Sequence, residues 1–223
     1  MPNFPSALAD SGRTGEETLF ARIAGDIRES GYSINPLALE PQLLQPLMQH
    51  VQAMAPDMFA RAGTGRQRDH VLNDFVRRDE ICWISGDSTA GAAWLDWAGR
   101  LRQFLNRELL LGLFSFESHF AHYGPGDFYR RHYDAFRGEA NRMLSLVAYL
   151  NPHWQTGEGG ELVLYRDGED QEGIRVLPTP GTLVAFLSEE FPHEVLPAER
   201  DRYSVAGWFR LNTSVSGRVD PPR

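Results

Sequence analysis

Between Glu117 and Asn212 the sequence repeats one pattern eight times: a short apolar or alternating run, then a break rich in glycine, proline or aspartate. The runs are ESHFAHY, FYRRHYD, RMLSLVAYLN, GELVLYR, GIRVLP, TLVAFLS, HEVLP and RYSVAGWF. β-Branched and aromatic side chains suit a pleated surface, and glycine and proline interrupt it, so each run predicts a strand. Strands this short and closely spaced must stack as sheets to bury their apolar faces. A jelly roll or sandwich is expected.

The preceding half differs. EETLFARIAGDIRESG (16–31) puts Leu19, Phe20, Ile23 and Ile27 on one face, with acids early and Gly31 as a stop, and predicts an amphipathic helix. YSI reads as a short strand, PQLLQPLMQHVQAMAPDMFA as a helix after Pro46, EICWIS as a strand, and AAWLDWAGRLRQFLNRELLLG as a helix ending at Gly112. RAGTGRQRDHVLNDFVRRD has no clean period and reads as a loop. Arg61, Arg66, Arg68, Arg77 and Arg78 make it locally basic, which fits either a solvated loop or a flap touching a substrate. The chain is thus mainly β with supporting helices. We expect a flexible 1–15, helices and supporting strands over 16–116, a β core over 117–213 forming one structural domain with them, and a tail over 214–223.

Composition narrows the function. A net charge of −8 over 223 residues disfavours non-specific binding to phosphate backbones. The single cysteine, Cys82, excludes an internal disulfide and a cysteine-rich zinc site, which suits a reducing compartment. The first residues carry no basic region followed by an apolar stretch, and no apolar run approaches a membrane span. A cytoplasmic protein, without membrane or nucleic-acid partners, is expected.

The run RRHYDAF (130–136) carries His132 and Asp134 two residues apart, so a strand would present both on one face. Two such side chains make two arms of a chelate, or simply a solvated strand. His193, after a proline turn in EEFPHEVLP, is a third arm. Two histidines and one carboxylate on one side of a metal leave open positions, the arrangement of non-haem Fe(II) oxygenases. A zinc hydrolase uses the same ligand types but gives no reason for Arg202, nine residues beyond His193. If HEVL and RYSVAGWF form a hairpin, His193 lies about 10 Å from Arg202 at roughly 3.3 Å per residue. A five-carbon dicarboxylate spans such a gap, with the guanidinium at its far end.

The order of motifs resembles the prolyl hydroxylase domain branch of the Fe(II)/2-oxoglutarate dioxygenases, from about Val76 to Arg210. The family's His-x-Asp, distal His and Arg nine residues later are met by His132, Asp134, His193 and Arg202. YLN with a following Trp is met by Tyr149–Asn151 and Trp154, and GGxL by Gly159–Leu162. RxDxIxW is met by Arg77 or Arg78, Asp79, Ile81 and Trp83, and RYxxxxW by Arg202, Tyr203 and Trp208. GWFR at Gly207–Arg210 departs from the animal enzymes, so substrate preference does not carry over.

The resemblance implies a double-stranded β-helix with helices on one sheet, and Fe(II), 2-oxoglutarate and O2 as cofactors with ascorbate as reductant. It implies Fe(II) ligation by His132, Asp134 and His193, and a grip on the distal carboxylate of 2-oxoglutarate by Arg202 and the Tyr149 hydroxyl. Tyr123 and Leu162 would line the cosubstrate pocket. Tyr129, Arg142 and Trp208, with Arg77 and Asp79 of the loop, would face the substrate proline. His119, His122 and His153 read as structural. The expected reaction is hydroxylation of a prolyl residue in a cytoplasmic protein, elongation factor Tu or a ribosomal protein being the targets in related branches, with 2-oxoglutarate decarboxylated to succinate. A small-molecule oxygenase acting on a free amino acid or derivative is the alternative. Asp134 speaks against a halogenase, and the acidic charge against nucleic-acid demethylation. A β-sandwich binding module without metal is the non-enzymatic rival.

Overall fold

The computed structural model describes residues 14–63, 75–135 and 141–212. Of the expected features, the segments 1–13 and 64–74 and the tail from 213 onward lie outside the described residues, as does Phe136.

Helix α1 (Gly15–Ser30) starts at a capping box between Thr14 and Glu17 and stops at Gly31, whose φ of 78° only glycine adopts freely. Strand β1 (Tyr32–Asn35) follows. Helix α2 (Pro41–Ala53) begins ahead of Pro46 rather than after it, and contains that proline. Pro41 at its first turn supplies a preset φ where no N–H is needed, and Leu47 and Val51 bury one turn apart. Two short strands, β2 (Ala60–Arg61) and β3 (Glu80–Trp83), precede helix α3 (Thr89–Leu109), capped by Ser88. This helix stops before the Gly112 expected as its end. Asn106 takes both the N–H and the carbonyl of Leu113 on its side chain, at 2.7 and 2.8 Å, so the chain has already turned back, with Leu110 left-handed at φ 55°.

The remaining strands are β4 (Leu113–Tyr123), β5 (Tyr129–His132), β6 (Arg142–Tyr149), β7 (Leu162–Leu164), β8 (Ile174–Val176), β9 (Leu183–Leu187), β10 (His193–Val195) and β11 (Arg202–Leu211). All eight expected runs form strands, and β4 begins at Leu113, upstream of residue 117. They make two antiparallel sheets, one ordered β1-β9-β6-β11-β4-β3-β2 and one ordered β5-β10-β7-β8. The mainly β jelly-roll expectation holds. The hairpin between β10 and β11 does not: the two strands lie in different sheets, and β10 instead pairs with β5 and β7. The chain between Leu196 and Asp201 crosses from one layer to the other rather than turning within one.

Alternation along the large sheet separates two cores. Leu144, Leu146 and Ala148 of β6, Leu183 and Ala185 of β9, and Val205 and Phe209 of β11 pack outward against Phe20, Ile23, Trp94, Leu101 and Leu105 of the helices. The alternate residues Tyr149, Val184 and Phe186 face inward and meet Leu162, Leu164 and Val195 of the small sheet. A side chain of this size, fully buried, contributes about 1.5–3 kcal/mol, so the helices hold the large sheet through its outer core and leave its inner face for the site. Gly207 belongs to the outer side. A Cβ there would come within 2.6 Å of the Phe116 ring, so the small residue of GWFR answers to packing beneath α3 and not to a substrate.

Candidate active site

Strands β5 and β10 set His132 and His193 directly opposite each other in register. Strand β5 ends at His132, so Asp134 is not its strand neighbour; the chain bends and brings the carboxylate back. His132 Nε2 lies 3.7 Å from Asp134 Oδ1 and His193 Nε2 3.7 Å from Oδ2. One ligand atom from each residue lies within 4.8 Å of the others. Both imidazoles are oriented through their other nitrogen: His132 Nδ1 donates to the Arg130 carbonyl at 2.7 Å and His193 Nδ1 to that of Phe191 at 3.1 Å. That tautomer leaves both Nε2 lone pairs facing the shared space.

Burial lowers the His193 pKa to about 4, with the neighbouring His132 adding to it. Burial pushes the Asp134 carboxyl upward, but His193, His132 and Arg142 outweigh it and hold the group well below the usual carboxylate range. The state at neutral pH is an ionised Asp134 beside a neutral His193, the protonation that metal binding requires. Asp134 Oδ2 also accepts from Ser145 Oγ at 2.6 Å, and Ser145 in turn meets Ser188 Oγ at 2.8 Å. Both serines are fully buried. Sequence reasoning missed them, although Ser145 interrupts the apolar run that follows Arg142 in β6.

Deeper between the sheets lies Arg202, 1% exposed. Its Nε donates to the Gly160 carbonyl at 2.8 Å and Nη1 makes a long contact of 3.4 Å with Ser204 Oγ. The guanidinium carbon stands 4.8 Å from the centre of the Tyr123 ring and 5.1 Å from that of Tyr149. Among the described residues no carboxylate pairs with it. Tyr149 Oη is buried without a hydrogen bond of standard geometry. Burial pushes the Tyr149 hydroxyl up to about 12 against the pull of Arg202, so it stays a donor. Leu162, Phe186 and Val195 supply apolar walls. A buried cation beside a buried hydroxyl without a standard hydrogen bond, among apolar side chains, fits an anionic oxygen ligand.

The motifs around Arg202 explain its placement. Asn151 Oδ1 accepts from the N–H of Tyr203 at 2.6 Å while its amide donates to the Pro178 carbonyl. Trp154 Nε1 donates to the Gly159 carbonyl at 3.1 Å. Gly159, at φ 68°, leaves no room for a side chain, since a Cβ would stand 2.2 Å from the Pro197 carbonyl oxygen. This contact brings Gly160 O to the guanidinium.

On the other side of the histidines, Tyr129 stacks on His132 with ring centres 3.5 Å apart. Arg77 stands over the Tyr129 ring and holds Asp79 through two bonds of 2.7 and 2.5 Å. Asp79 has no exposed side-chain surface, so it reaches the site only through Arg77. Arg142 lies 3.6 Å above the Trp208 ring and 3.2 Å from Glu117, which also pairs with Arg210 at 3.3 Å. The arginine of GWFR is therefore an inward group of this rim. His119, read as structural, packs between Trp83 and Trp208, and its Nδ1 is buried without a partner. His122, by contrast, pairs with Asp201 on the far side of β4.

Residues 118–210 match the 2OG-Fe(II) oxygenase superfamily. The chain superposes on the crystal structure of a Pseudomonas putida prolyl-4-hydroxylase with a TM-score of 0.75 and 39% identity, covering 86% of this chain and 98% of that one. It is 27% identical over 155 residues to mouse prolyl hydroxylase EGLN3, covering 64% of this chain and 62% of that protein. It is 34% identical over 88 residues to rat Egl nine homolog 1, covering 39% of this chain and 25% of that protein. The matched segments thus span between a quarter and just under two thirds of these curated relatives.

Proposed function

The chain belongs to the 2OG-Fe(II) oxygenase superfamily, whose members use Fe(II), 2-oxoglutarate and O2, and we propose that it hydroxylates a prolyl residue of a cytoplasmic protein. The observation that carries this reading is the pairing of two features between the same sheets: a His-Asp-His cluster and a buried arginine that no carboxylate among the described residues pairs with. The likeness to the Pseudomonas prolyl-4-hydroxylase supports the choice of proline.

When bound, Fe(II) with 2-oxoglutarate and dioxygen supplies oxidative decarboxylation to succinate and hydroxylation of a C–H bond. His132 Nε2, His193 Nε2 and one Asp134 oxygen would hold the iron. Asp134 carries the negative charge, and Ser145 fixes the carboxylate by donating to its second oxygen. Arg202 and the Tyr149 hydroxyl would receive the distal carboxylate, in a site where low dielectric strengthens the charge-assisted bonds. Tyr123 and Leu162 would close the pocket against water. Both tyrosines keep their protons at working pH, since burial pushes Tyr123 well above its ordinary value as it does Tyr149. Tyr129, Trp208 and Arg142 would orient the prolyl ring and its backbone; holding the target C–H near the oxidant converts a bimolecular encounter into a positioned one.

The test is mass spectrometry of candidate proteins, elongation factor Tu and ribosomal proteins first, incubated with enzyme, Fe(II), 2-oxoglutarate and ascorbate. A gain of about one oxygen on a proline, matched by succinate, is the expected outcome. Consumption of 2-oxoglutarate with free amino acids or their derivatives, and no modified proline in any protein, would replace the protein substrate with a small molecule.

A further inference from the structure

Of the two histidines, His132 has the weaker support from strand pairing. His193 lies on β10, which is paired on both sides, by β5 and by β7. His132 ends β5, a four-residue strand at the edge of its sheet, whose register to β10 shifts between His193 and Val195. Its side chain is also the more exposed, 15% against 7%. Besides the Nδ1 bond to the Arg130 carbonyl, a stacked ring backs the imidazole.

Tyr129 lies almost parallel to His132, with ring centres 3.5 Å apart and planes 14° apart. The Arg77 guanidinium lies over the same tyrosine, 4.2 Å from the ring centre. Two flat groups cannot share one face at these separations, so Tyr129 is clamped between them. Arg77 is itself fixed. Its Nε and Nη2 bond the two oxygens of Asp79, and its backbone bridges that of Tyr129. Hydrogen bonds from Arg130 N to Val76 O, at 2.8 Å, and from Arg78 N to Phe128 O, at 3.1 Å, zip the two segments together. The segment 76–79 thus backs the edge strand that carries His132.

We propose that Arg77 and Asp79 are positioning residues of the metal site, pressing Tyr129 against His132 and so setting the affinity for the divalent cation. This rests on the reading that His132, Asp134 and His193 hold iron. It differs from the role the sequence suggested, contact with the substrate: Asp79 has no exposed surface to offer, and its whole carboxylate is spent on Arg77. A planar fork matched to a carboxylate is rigid, and a rigid backing is what a stacked ring needs.

The test is calorimetric titration of Co(II) into the metal-free full chain, without 2-oxoglutarate, together with the visible spectrum of the Co(II) form. Asp79→Asn, Arg77→Gln and Tyr129→Leu are each expected to weaken Co(II) binding by about 10- to 100-fold, the usual cost of losing a group that orients a ligand. Tyr129→Phe keeps the ring and is expected to stay within twofold. Circular dichroism checks folding, and should Asp79→Asn not fold, Arg77→Gln and Tyr129→Leu decide. Wild-type Co(II) affinity and spectrum in the folded variants, with only KM for the protein substrate raised, would return Arg77 and Asp79 to substrate contact and overturn the inference. Failure of the wild-type chain to bind Co(II) at all would overturn the metal reading itself, and this inference with it.

Discussion

Replacing Arg202 by methionine separates what the guanidinium does for the fold from what it does for the ligand. Among the described residues the buried charge has one good hydrogen bond, to Gly160, and two tyrosine faces at about 5 Å. Methionine keeps much of the volume, loses that bond and those faces, and removes a charge that no carboxylate among the described residues offsets. The first two losses cost about 1–3 kcal/mol together and the last returns a similar amount, so net stability changes by less than about 2 kcal/mol. Bound 2-oxoglutarate is different. Truncating one partner of a buried, hydrogen-bonded charge pair costs about 2–5 kcal/mol, because the other charge is left in a dry site. Affinity should then fall by roughly 30- to 5,000-fold. Calorimetry with Mn(II) in place of iron and no oxygen measures the affinity, and thermal denaturation of the unliganded variant measures the fold. Binding of 2-oxoglutarate within threefold of wild type would refute the assignment of Arg202 as the carboxylate anchor.

Three further expectations follow from neighbouring residues. Ser145→Ala removes the donor to Asp134 Oδ2 and should weaken Mn(II) or Co(II) binding by about tenfold, read by calorimetry, with the melting temperature little changed. Gly159→Ala forces a Cβ to within 2.2 Å of the Pro197 oxygen at a φ of 68°; denaturant titration should give a loss above about 2 kcal/mol, with weaker 2-oxoglutarate binding as Gly160 O moves. His119→Leu should flatten the acid limb of stability. Burial lowers the His119 pKa from 6.5 to about 3, with Asp79 and Asp134 opposing and Arg77 and Arg142 assisting. The unfolded chain therefore takes up this proton below pH 6.5 while the folded one does not until about 3, so stability is full above 6.5 and drains away as pH falls between the two. The slope from this group is about 1.4 kcal/mol per pH unit, and its persistence in His119→Leu would disprove the attribution.

The eight strands were readable because each is bounded by Gly, Pro or Asp and rich in residues that favour a pleat. Which sheet each strand joins was not. HEV and RYSVAGWF are separated by a break that looks like a hairpin turn, yet hydrogen-bond partners fifty or more residues away, on β4, β5 and β6, decide their places. The cluster of His132, Asp134 and His193 was visible as a set of motifs, but its geometry was not. The sequence suggested alternation along one strand, whereas the two histidines face each other across a ladder and Asp134 enters from a bend. Pairings that skip across a sheet were invisible for the same reason. Glu117 on β4 reaches Arg142 on β6 over the intervening β11, and no local period announces that. The Arg77–Asp79 pair was more accessible, since residues two apart in extended chain share a face.

The passage of the chain from β10 to β11 has a consequence for selectivity. It places the histidines proposed to hold iron on the wall formed by one sheet and Arg202 on the opposite wall, and stacked sheets keep a spacing of about 10 Å. Under the proposed site, the interlayer gap would act as a fixed gauge for the length of the keto-diacid. A homologue one carbon shorter would leave one end unmet, and one a carbon longer would have to pry the layers apart against the side chains that interlock them.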